Sequence, residues 1–185
     1  MGLVRLMEGL KRWSIVNDVV MGGRSGSELR ENWDGRLVFR DRLSLANNGG
    51  FAAARTRIER GTLTGFAGVE LRVRGDGRRY RLCLRSDRAF DGATYQDEFE
   101  TSRKEWIAVR LPFTGFRGRI PDGLPPLEPG RMEQLGFMIG GRKAGPFHLE
   151  IARVRPYGRG SGSGPLGEAW SQERPLSRSE FGVVR

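Results

Sequence analysis

The chain has 185 residues, with 32 basic against 22 acidic side chains and a formal net charge of +10. Cys83 is the single cysteine, which excludes an internal disulfide, and with His148 as the single histidine it excludes a zinc centre of the usual Cys/His kind. No apolar run approaches the ~20 residues that a membrane-spanning helix needs.

The positive charge is almost all arginine, since Lys11, Lys104 and Lys143 are the only lysines. The arginines are spread along the chain and alternate with apolar residues. This reads as a compositional bias and argues against nucleic acid as a partner, because a nucleic-acid footprint needs clustered charge. The first residues, MGLVRLMEGLKRW, interrupt their apolar positions with Arg5, Glu8, Lys11 and Arg12 and lack the apolar core of a signal peptide. The expectation is a soluble, cytoplasmic protein.

In chain order, Leu3, Leu6, Met7 and Leu10 are spaced for a short helix before Trp13. NDVVMGGRS, over 17–25, reads as a loop: Asn17 and Asp18 favour side-chain to backbone bonds, and Gly22 and Gly23 supply a turn. Period-two alternation then predicts strands over 37–44, 50–58, 69–74, 80–85, 94–101, 106–113, 134–139 and 146–154. NNGGF, with Asn48, Gly49, Gly50 and Phe51, is a turn between the first two of these. Gly75-Asp76-Gly77 predicts a hairpin between 69–74 and 80–85. Residues 118–130 carry four prolines and three glycines and are expected to form one long loop. Short strands punctuated by turns predict an all-β antiparallel sandwich of jelly-roll type over residues 1–157. Residues 158–185 open with GRGSGSGPLG and read as a flexible linker and tail, in which Leu166, Trp170, Leu176 and Phe181 are the apolar positions.

No catalytic set is apparent. His148 and Glu150 share one strand face, and no Gly-x-Ser-x-Gly elbow accompanies them. Cys83 lies between Arg81 and Arg85 and reads as an incidental thiol. RGDGRRY joins two strands, so no helix N-terminus follows it to receive a phosphate. Glu98 and Glu100 share a solvated face. Asp18, Asp76, Asp87 and Asp91 are options for a structural calcium, with nothing to select among them, so neither a metal nor a cofactor is assigned.

Taken in order, Trp13 with NDVVMGGRS, NNGGF, VELRVRGDGRRY, YQDEF, EWIAVRLPF and GFMIGG with GPFHLEI resemble the complex I (NADH:ubiquinone oxidoreductase) intermediate-associated protein 30 family. The resemblance spans Trp13 to Tyr157. It implies a galactose-binding-like β-sandwich and a non-enzymatic, chaperone-like role in respiratory-complex assembly, with another protein as partner. It also suggests a bacterial member, because no targeting presequence is recognised. The motif maps onto Trp13, Asn17, Asp18, Met21, Gly22, Gly23, Ser25, Asn48, Gly49, Gly50, Phe51, Asp76, Gly77 and Tyr80, the candidate binding positions. Two alternatives stand beside it. One is a carbohydrate-binding module stacking sugars on Trp13, Trp33, Tyr95 or Trp106; the other is an enzyme using Asp18 or Asp76.

Overall fold

A computed structural model describes residues 12–17, 27–46, 50–87, 93–120, 123–141 and 143–158. Among these residues, eleven antiparallel strands form two stacked sheets. The first has the order β1 (Trp13–Asn17), β4 (Phe51–Arg57), β10 (Gln134–Gly140), β6 (Arg79–Arg85), β7 (Thr94–Glu100) and β9 (Arg117–Ile120). The second has the order β2 (Glu28–Glu31), β3 (Leu37–Leu43), β11 (Gly145–Gly158), β5 (Phe66–Arg74) and β8 (Trp106–Pro112). The expected jelly-roll sandwich is what forms. Its core lies between the sheets, where Phe39, Leu71, Tyr80, Leu82, Phe137 and Leu149 are all buried. These are the alternate residues of their strands, and the residues between them face outward, as a two-residue period requires.

Two expectations need correction. The stretch 69–85 is not a hairpin: β5 pairs with β11 and β8, whereas β6 pairs with β10 and β7. Both strands carry an apolar stripe that faces the same core, and they satisfy it from opposite sides, so the turn between them steps from one sheet to the other. Nor is 118–130 one loop. Arg117–Ile120 adds to β7 as a short edge strand, and a 3-10 turn closes over Pro129–Arg131. The prolines all follow the strand, and a four-residue edge strand is too short to show alternation. The predicted helix before Trp13 and the predicted tail, apart from Gly158 at the end of β11, lie outside the described residues.

Candidate functional site at the crossover end

The registers gather the ends of many strands at one end of the sandwich. Asn17 is opposite Ala52, Gly140 opposite Phe51, and Arg79 opposite Glu100 in the first sheet. Leu43 is opposite Gly145 and Arg74 opposite Trp106 in the second. Five sheet-to-sheet steps therefore leave and return here: after β1, β3, β5, β7 and β10. NDVVMGGRS departs from Asn17, NNGGF returns at Gly50, and Gly75-Asp76-Gly77 lies at the same end. Asp18, Met21, Gly22, Gly23, Ser25, Asn48 and Gly49 fall outside the described residues, and of Asn17 only the backbone is described.

The described motif residues build a bolt. One Asp76 carboxylate oxygen accepts the Arg78 N–H at 3.0 Å and the Tyr80 hydroxyl at 3.2 Å. The other accepts the His148 N–H at 3.0 Å, a proton shared with the Tyr80 oxygen at 3.1 Å. Burial and the adjacent Asp76 carboxylate push the Tyr80 phenol well above its ordinary range, so it stays a donor. The Arg78 guanidinium donates to the carbonyls of Lys143, Gly145 and Pro146, fastening the β10–β11 connection. Gly75 is needed because a side chain there would fall on Thr101, whose hydroxyl accepts the Gly77 N–H and donates to the Arg78 carbonyl. Gly77 has φ +84°. Asp76, Gly77 and Tyr80 thus tie the β5–β6 crossover to β11, with both Asp76 oxygens engaged.

Two other described motif residues, Trp13 and Gly50, also make contacts within the fold. Trp13 stacks on Phe137 with ring centroids 6.0 Å apart. The Gly50 carbonyl accepts the Gly141 N–H at 3.2 Å, joining β4 to β10 just before Phe51.

Beside the bolt lies a cleft of about 890 Å³. Its walls include Glu28, Arg40, Asp76, Arg103, Lys143 and His148. The one Phe, Tyr or Trp among its described lining residues, Phe147, is buried, so none of these rings is offered there for stacking a sugar. Sequence reasoning missed Arg40, Arg103 and Lys143, which come together only through the register of β3 with β11 and the return from β7 to β8.

Other candidates resolve differently. His148 Nε2 lies 3.1 Å from Glu150, whose carboxylate also takes two bonds from Arg74 at 3.0 and 2.7 Å. Burial pushes Glu150 up, but the Arg74 and His148 contacts outweigh it and hold the group below the usual glutamate range. The Arg81 hydrogen bond does the same for Glu98. Both groups therefore add stability that is full above their ordinary pKa near 4.5 and is lost as pH falls through the lowered folded values. Thermal melts should show a steady midpoint above that pH and a falling one below it. Arg74→Gln should shrink the fall, and an unchanged acid limb would refute the assignment. Burial pushes the Cys83 thiol up to about 12, which removes it as a thiolate nucleophile near neutral pH. Among the described residues, no group of three or more His, Cys, Asp or Glu side chains is placed to hold a metal.

The architecture, two stacked antiparallel sheets, is similar to that of solved carbohydrate-binding modules. The family 11 module of a Clostridium thermocellum cellulosomal cellulase superposes with a TM-score of 0.61 over 85% of this chain and 94% of that one. Identity is 14%, so the likeness shows the fold alone.

By sequence, the chain belongs to the complex I intermediate-associated protein 30 family, whose model matches residues 4–151. The mitochondrial complex I intermediate-associated protein 30 of Mus musculus is 30% identical over 171 residues, 80% of this chain and 52% of that protein. Its Drosophila melanogaster counterpart is 26% identical, over 78% of this chain and 58% of that one. The chain spans about half the length of these curated relatives. Both are mitochondrial proteins of animals, which overturns the expectation of a bacterial, cytoplasmic protein. That expectation rested on failing to recognise a signal-peptide core or a targeting presequence in the first residues, and such a failure does not define a compartment.

Proposed function

We propose that this domain is a non-enzymatic binding module that attaches to protein intermediates in the assembly of complex I. The observation that carries the reading is the family match over residues 4–151, on a domain whose best-formed polar site is spent on its own backbone. An aspartate with every oxygen engaged inside the fold is poorly placed for acid–base or metal chemistry. Loops on a rigid sandwich are a common place for partner contacts, and here five crossovers share one end.

The carbohydrate reading finds less support. Of its four stacking candidates Trp33 is exposed, but Tyr95 is buried, Trp13 rests on Phe137, and Trp106 lies under three guanidinium groups. The test is removal of the gene from its host, with complex I resolved on native gels during new synthesis. Partial complexes should accumulate and disappear when the full chain is restored. Unchanged assembly kinetics would end the proposal, and a specific hit on a glycan array would favour the alternative.

A further inference from the structure

The outward face of the second sheet has a character that the crossover end lacks. On three of its strands, Arg72 and Arg74 of β5, Arg110 of β8, and Arg153 and Arg155 of β11 accompany two carboxylates, Glu70 and Glu150. Each carboxylate is held between two basic groups. Glu70, 2% exposed, accepts from Arg110 at 2.8 Å and Arg155 at 2.7 Å. Glu150 lies between Arg74 and His148. Trp106 sits beneath Arg36, Arg72 and Arg74, with guanidinium carbons 5.1, 5.9 and 4.9 Å from the ring centroid. Stacking and ion pairing fix these planar groups, so less side-chain entropy is lost when a partner engages them.

Arg36 connects this face to a second, independent feature. It closes the β2–β3 turn, whose tip is Trp33, 92% exposed. The turn is rigid: Asn32 Oδ1 accepts the Asp34 and Arg36 N–H groups at 3.1 and 2.9 Å, and Asn32 and Arg36 bond through their backbones at 2.9 Å. Arg36 also pairs with Asp34 at 2.9 Å. A tryptophan held almost wholly in water on a braced turn contributes nothing to the core. Tryptophan and arginine are the residue types that dominate binding energy at protein interfaces.

We infer that the outer face of the β2-β3-β11-β5-β8 sheet, with Trp33 as its anchor, is the docking surface for an acidic protein segment that carries an apolar pocket for the indole. The inference rests on the reading above that the partner is a protein. Carboxylates match fixed guanidinium planes in two-pronged pairs. Glu70 and Glu150 interrupt the positive field, which suits a patterned protein surface better than a continuous polyphosphate. A braced indole needs a pocket, which a nucleic-acid backbone does not supply.

The test places p-benzoylphenylalanine at position 33 of the full chain in its native host, with position 143 at the crossover end for comparison. Position 33 should give roughly tenfold more of a discrete protein adduct, in line with the weight of a central anchor residue. The linked peptide should carry an excess of Asp and Glu. The double substitution Arg72→Gln and Arg153→Gln should lower the yield roughly tenfold, the scale of two lost charged contacts. If that variant does not fold, the ratio between positions and the composition of the linked peptide decide the matter. Adducts with RNA or lipid, a linked segment without acidic excess, or equal yields from the two positions would overturn the inference. Protein adducts from position 143 alone would reject this face yet leave the protein-partner reading standing. Protein adducts from neither position would remove both.

Discussion

Replacing Asp76 with alanine is expected to lower the unfolding free energy by roughly 2–4 kcal/mol. Three donors converge on this carboxylate: the Arg78 N–H, the His148 N–H and the Tyr80 hydroxyl, which sits on a fully buried ring. Loss of the acceptor strands the Tyr80 hydroxyl and leaves the His148 N–H only the Tyr80 oxygen, and the cost of an unmet buried donor exceeds the gain from the bond itself. Asp76→Asn should recover part of the loss, because its amide oxygen replaces one acceptor while its NH₂ cannot accept from His148. Tyr80→Phe should cost roughly 1–2 kcal/mol, and the double variant with Asp76→Ala less than the sum, because the two groups share one network. Urea titration of the four variants measures all of these. A near-neutral Asp76→Ala would mean that the bolt is not structural, and would return Asp76 to the list of candidate binding residues.

The bolt shows how far the sequence could be read. Residues 80, 82 and 84 announced their strand and its buried face, because alternation survives wherever one face meets a core. Alternation does not say which sheet a strand joins, so 69–85 read as a hairpin when its two strands in fact face each other across the core. The error matters for the site. A hairpin tip at Asp76 would be solvated, whereas a crossover brings Asp76 against His148, 72 residues further on. Short edge strands such as β9 and β2 offer too few alternating positions to register. The arginines read as scattered because in sequence they are; folding sorts Arg72, Arg74, Arg110, Arg153 and Arg155 onto one face by the same two-residue period that buries Val73 and Leu111. Residue type alone makes Trp33 a stacking candidate. Its exposure follows from the Asn32 and Gly35 turn, a signal that the NWDG stretch already carried.

The largest single-residue loss is expected from Phe137→Ala, roughly 3–5 kcal/mol. Phe137 is 1% exposed at the centre of β10, itself the middle partner of β4 and β6. Its ring stacks on Trp13 and meets Phe99 edge-on at 6.4 Å. Deleting it opens a cavity where β-sheet neighbours are fixed by their ladders and cannot collapse inward. The damage should also be directional. Trp13 belongs to the edge strand β1, which pairs only with β4 among the described strands and so depends on this stack for much of its hold on the core. Amide exchange in Ser14–Val16 should therefore accelerate more than exchange in the central strand β11. Phe137→Leu should keep most of the volume and lose roughly 1–2 kcal/mol, with β1 largely protected. Equal acceleration in β1 and β11 would show that Phe137 supports the sandwich as a whole. Selective loosening of β1 would tie the Trp13 motif to the seating of the strand that leads into NDVVMGGRS, and so to the crossover end itself.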